Sequence, residues 1–183
     1  RGWKSLTVIS LAIGQGEIGA TPLQLANLAA IMANRGHYYT PHLVKRIPED
    51  TLSQPHTEQH RTLVDPEHFT PIVEGMYLAV NSPAGSGATA RLAAIPGVDL
   101  CGKTGTAQNP HGEDHSVFIC FAPKDDPKIA VAVYIEKGGF GASQAAPVAS
   151  LLVEKYLTGQ IHPSRTWLYE RTLEQDLLSR HLK

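Results

Sequence analysis

Gly102-Lys103-Thr104-Gly105-Thr106-Ala107-Gln108 constrains this chain more than any other stretch. It follows Val98-Asp99-Leu100-Cys101, which alternates like a strand, and itself reads as the continuation of that strand along an edge. Glycine inside a strand gives up packing and marks a place where another backbone comes close. Each residue then has a use on the wall of a cleft. Lys103 supplies a cation near a reacting hydroxyl or a substrate carboxylate, and Thr104 and Thr106 supply hydroxyls that can bind that carboxylate. Gly105 leaves room for a substrate backbone. The Thr106 N–H is positioned to serve as an oxyanion donor, a group typically worth about 10²–10³ in rate.

The same residues compete for a second reading. Gly97 to Thr104 has the spacing of a phosphate-cradling loop, Gly, four residues, then Gly-Lys-Thr. That loop needs a strand before its first glycine and a helix opening at the lysine. Here the strand pattern lies inside the spacing, and Gly105, Asn109, Pro110 and Gly112 would break a helix after Lys103, so nucleotide binding is set aside. An absence is equally informative: none of the serines has Lys three residues on, and none has Asn or Asp two residues on. The cleft wall stands here without a nucleophile.

Along the chain, the apolar Thr7–Ile13 run leads into Gly14-Gln15-Gly16. That turn reads first as the feed to the Thr21 cap and second as a loop on the substrate side. Thr21, Pro22 and Gln24 form a capping box that opens a helix through Leu25, Leu28, Ala29 and Met32, which Gly36 stops. Residues 49–63 read as an exposed loop or loose ribbon. Asp65-Pro66 opens a second helix with Phe69, Ile72, Val73, Met76 and Val80 on one face; Pro71 predicts a break near Thr70. Strands are expected at Val98–Thr106, Val117–Phe121 and Ile129–Ile135, the last two joined by the 123–128 turn as an antiparallel pair. A third helix runs from Ser143 to Tyr156, and Trp167–Leu182 reads as a docking helix.

With 183 residues, 42% hydrophobic and 18% charged, the chain suits one soluble domain. A net charge of −1 gives no case for nucleic acid. No apolar run approaches the ~20 residues of a membrane helix. The chain opens at Arg1 without an initiator Met, so a processed or excised product is expected. Cys101 and Cys120 read as buried thiols, with a cross-strand disulfide as the alternative. His111/His115 and His56/His60 read as surface histidines, and Glu17 and Asp114 as solvated carboxylates; neither metal nor cofactor is expected.

Gly14–Ala26, Gly102–Gln108, His115–Pro123, Ile129–Gly141 and Ala145–Leu157 together resemble, in order, blocks of the class B penicillin-binding proteins, over roughly residues 3–159. The Gly14–Glu17 and Gly138–Gly141 runs are most similar to elongation-type members. The resemblance implies an α+β architecture: part of the penicillin-binding, serine β-lactamase-like transpeptidase fold, an antiparallel sheet packed with helices. It assigns 1–160 to the C-terminal portion of the transpeptidase domain and 161–183 to a helical tail. Of the family's motifs, Ser-x-x-Lys, Ser-x-Asn/Asp and Lys-Thr-Gly, only the last is present. Its carriers by resemblance are Lys103 as the catalytic residue and Thr104, Gly105 and Thr106 for substrate.

The implied activity is D,D-transpeptidation of peptidoglycan stem peptides ending in D-Ala-D-Ala, through an acyl-serine that β-lactams also form. The implied partners are stem peptide, β-lactams, the missing N-terminal part of the same protein and the cell-elongation machinery. The implied location is the periplasmic face of the bacterial inner membrane. The chain alone is expected to be inactive. A β-lactam sensor or β-lactamase relative and a non-catalytic binding module stay open as alternatives.

Overall fold

The computed structural model describes residues 4–15, 18–44 and 54–176. In chain order these form α1 (Ser5–Ala12), α2 (Pro22–Ala33), β1 (His37–Tyr38), α3 (Gln54–Thr57), β2 (His60–Arg61), α4 (Phe69–Asn81), β3 (Cys101–Ala107), β4 (His115–Ala122), β5 (Ile129–Ile135), α5 (Ala145–Thr158) and α6 (Thr166–Glu174). The architecture is α+β, as the sequence predicts.

Local chemistry explains several element ends. The Thr21 hydroxyl accepts from Gln24 N, and Gln24 Oε1 accepts from Thr21 N at 2.8 Å, so the capping box closes in both directions. Gly36 ends α2 at φ +102, its amide returning to Ile31 O at 2.9 Å. The break expected near Thr70 falls earlier: a 3-10 turn over Pro66–His68 passes into α4 at Phe69. Pro71 thereby lands in the first turn of α4, where its missing N–H removes no helical bond. The apolar run before Gly14 forms α1, and none of its residues is buried. The 49–63 ribbon is present in part, as β1 paired antiparallel with β2; residues 45–53 lie outside the described ones, as do Glu17 and Leu177–Lys183.

The sheet is an antiparallel meander, β3-β4-β5, with β3 and β5 at its edges among the described residues. Strand alternation splits its side chains between two helical layers. One face carries Phe118, Cys120 and Ala122 of β4 against Ala145, Ala146, Ala149 and Val153 of α5, all buried. The other carries Cys101 and Phe121 against Ala33 of α2 and Val73 and Met76 of α4. Cys101 pairs with Phe121 and Cys120 with Gly102, so the two thiols point to opposite faces. Both are free, and burial pushes each up to about 12. The alternative of a cross-strand disulfide is thereby excluded.

At the C-terminal end Arg165 is buried against Glu154 as an ion pair, with its Nη2 donating to Ser150 Oγ at 2.6 Å. The His162 amide donates to the other carboxylate oxygen at 2.9 Å. This network ties the turn before α6 to α5, and every charge in it is hydrogen-bonded.

Candidate active site

The candidate site is the outer edge of β3 and the cavity beneath it. Lys103, Gly105 and Ala107 share the α2/α4 face with Cys101, while Thr104 and Thr106 share the α5 face with Gly102. A cavity of ≈ 670 Å³ opens beside Lys103. Its other walls are α2 (Leu28, Met32), α4 from Pro71 to Ala79, Ser82 just past it, the Ser86–Thr89 turn and Ile119 of β4. Leu28, which keeps the helical period of α2, and Ile72, on the apolar face expected for α4, are 40% and 48% exposed and line this opening. They form an apolar floor with Lys103 at its rim.

Lys103 extends from an exposed strand position and donates from Nζ to Thr104 O at 2.6 Å. The Thr104 hydroxyl donates to Thr89 Oγ1 at 3.3 Å, which joins the strand to the turn that closes the cavity. Among the described residues, no other strand pairs with β3 on its outer side. An edge strand presents the N–H and C=O of alternate residues outward. The Thr106 carbonyl is reached there by Gln15 Nε2 at 3.0 Å. Gln15 belongs to the run that the sequence reads first as the feed to the Thr21 cap and second as a substrate-side loop.

Two glycines near the strand answer to packing. A Cβ on Gly102 would lie 2.3 Å from the Phe118 ring, which covers that position. A Cβ on Gly141 would lie 2.4 Å from both Gly105 O and Val117 O. The chain before α5 therefore rests flat on the β3–β4 backbone. It is pinned by Ser116 Oγ, which donates to Phe140 O at 3.1 Å and accepts from Ala145 N at 3.0 Å. This support stiffens β3 from the face opposite Lys103. Nothing local in the sequence signals it, because the partners lie far apart in the chain.

The other candidates fall elsewhere. The Asp114 carboxylate accepts from Asn109 N at 3.1 Å and shapes the β3–β4 loop. His115 Nδ1 accepts from Lys137 N at 3.0 Å beside Tyr134. His60 stacks on Tyr38, and His42 lies against His56. The phosphate-loop alternative requires a helix at Lys103; the backbone there is β3.

The family model for the penicillin binding protein transpeptidase domain matches residues 2–154. The peptidoglycan D,D-transpeptidase MrdA of Haemophilus influenzae is 37% identical over 88% of this chain and 27% of its own length. The peptidoglycan D,D-transpeptidase PbpA of Mycolicibacterium smegmatis is 38% identical over 75% of this chain and 29% of its own. Pseudomonas aeruginosa PBP2, solved in complex with WCK 5153, superposes with a TM-score of 0.75 at 35% identity, covering 90% of this chain and 36% of that one. The chain thus spans roughly a quarter of the length of these curated relatives. An extended Lys-Thr-Gly-Thr edge beside an open apolar cavity, in a chain matched by that model over most of its length, belongs to the penicillin-binding protein transpeptidase family.

Proposed function

We propose that this chain supplies one wall of a peptidoglycan D,D-transpeptidase site whose acylated serine lies outside residues 1–183. The observation that carries this reading is the open cavity beside Lys103, apolar along α2 and α4 and bordered by an unpaired strand edge. Family relatives support it: Mycobacterium tuberculosis penicillin-binding protein A, 34% identical with a TM-score of 0.65, is known as an imipenem acyl-enzyme.

In this reading the cavity seats the segment that carries Ser-x-x-Lys, which covers Leu28 and Ile72 and brings its hydroxyl to Lys103. Lys103 orients the proton network and the substrate carboxylate. Thr104 and Thr106 bind that carboxylate, and Thr106 N–H faces the developing oxyanion. Gly105 leaves the strand open to the stem peptide. The serine attacks the D-Ala–D-Ala bond and expels the terminal D-Ala; an amine of a neighbouring stem peptide then displaces the serine, giving the cross-link. Residues 1–160 are the C-terminal portion of that domain, and 161–183 are a tail, with Arg165 near its start paired to Glu154 of α5.

Elongation-type assembly is the partner reading. Helicobacter pylori PBP2, solved in complex with MreC, is 25% identical with a TM-score of 0.68. The corresponding location is the periplasmic face of the inner membrane. Fluorescent penicillin tests the whole reading. The protein at its natural length is expected to label covalently and the 183-residue chain to stay unlabelled; a labelled 183-residue chain contradicts it.

A further inference from the structure

Two carbonyls of the open β3 edge, Thr104 O and Thr106 O, are each taken by a side-chain donor. The donor to Thr104 is the adjacent Lys103. The donor to Thr106 is Gln15, which arrives from 91 residues away in the chain. A carboxamide N–H is the same kind of donor as a peptide N–H. Gln15 therefore makes at Thr106 the N–H···O=C bond that an extended ligand laid along the strand would make.

The bond has no evident duty to the fold. Gln15 is exposed and the hydrogen bond is exposed, so water would satisfy the Thr106 carbonyl in its absence. What the carboxamide does is occupy an acceptor that no strand fills among the described residues. We infer that Gln15 is a specificity-determining residue: it stands in for a ligand amide at the Thr106 carbonyl and must be displaced by ligands that carry such an N–H. This rests on reading the cleft as an acyl-transfer site, and adds the competitor that the ligand meets there. Ligands able to donate to Thr106 gain only the difference between their bond and that of Gln15. Ligands unable to donate leave Gln15 in place and are indifferent to it.

The test uses the protein at its natural length, with Gln15→Ala and with Gln15→Glu, which keeps the side-chain length and loses the donor. The probes are two β-lactams that differ only by a methyl group on the side-chain amide nitrogen, so that one donates and the other cannot. Second-order acylation constants are measured for both. Each variant is expected to raise the ratio of the N–H probe to the N-methyl probe by about threefold to tenfold, the weight of one exposed hydrogen bond. The ratio cancels any effect of the introduced carboxylate charge that acts on both probes alike. A ratio unchanged or lowered in the variants overturns the inference. Absence of acylation by either probe in the unaltered protein overturns the acyl-transfer reading itself.

Discussion

Phe118, Cys120 and Ala122 on one face of the sheet are sealed beneath α5, whereas Ile119 and Lys103 on the other look into a cavity walled by half-exposed Leu28 and Ile72. The sealed face is close-packed down to single methyl groups: Phe118 tolerates only glycine at 102, and the β3–β4 backbone tolerates only glycine at 141. The open face keeps the same helical pattern but lacks something to pack against. Fully buried packing of this kind fixes β3 in place; the unfilled side is where we place the proposed chemistry. One layer is built for rigidity and the other for access.

The largest expected effect separates these roles. Lys103→Ala at natural length should cut β-lactam acylation by about 10²-fold or more while leaving the melting temperature nearly unchanged, read by stopped-flow acylation and calorimetry. A comparable loss of stability would move Lys103 from chemistry to packing. On the sealed side the prediction reverses. Glu154→Ala, which strands the buried Arg165 guanidinium, should cost about 3–5 kcal/mol in urea unfolding. Gly141→Ala should cost several kcal/mol as well, since backbone oxygens on two strands must move to admit one methyl group.

Ile72→Ala sharpens the comparison further. In the 183-residue chain the substitution should change stability by less than about 1 kcal/mol, because the side chain is half exposed. At natural length it should cost about 2–4 kcal/mol, because the covering segment then buries it. Equal small costs in both would mean that the cavity stays open.

A further effect is in pH. Burial raises both thiols from 9.0 to about 12, so the folded state holds their protons longer than the unfolded chain does. Their contribution is intact below pH 9 and is lost progressively as pH rises toward 12. Thermal melts between about pH 8 and pH 11 should fall more steeply for the native protein than for Cys101→Ala with Cys120→Ala.

What is legible in the sequence is local. The Thr21–Gln24 box, the stop at Gly36 and the 123–128 turn depend on neighbours a few residues apart, and each is where the pattern puts it. The edge position of β3 is legible too, because glycines and threonines there have little reason to be interior. Pro71 misleads only if the α-helix is taken to begin at Pro66; a 3-10 turn absorbs the first residues and shifts the helical frame. The Gln15–Thr106 bond, the Phe118 ring over Gly102 and the Arg165–Glu154 pair join residues 91, 16 and 11 positions apart. No periodicity carries that information. The helix α1 has no signature in the pattern because Ser5–Ala12 is apolar on most sides and buries nothing among the described residues.

Peptide mapping of a penicillin adduct tests the central claim most directly. The protein at its natural length, trapped with penicillin and digested, should carry the acyl group on a serine outside residues 1–183, and Lys103→Ala should slow its appearance. An adduct on any serine within these residues would contradict the assignment of this chain as the wall that receives the nucleophile.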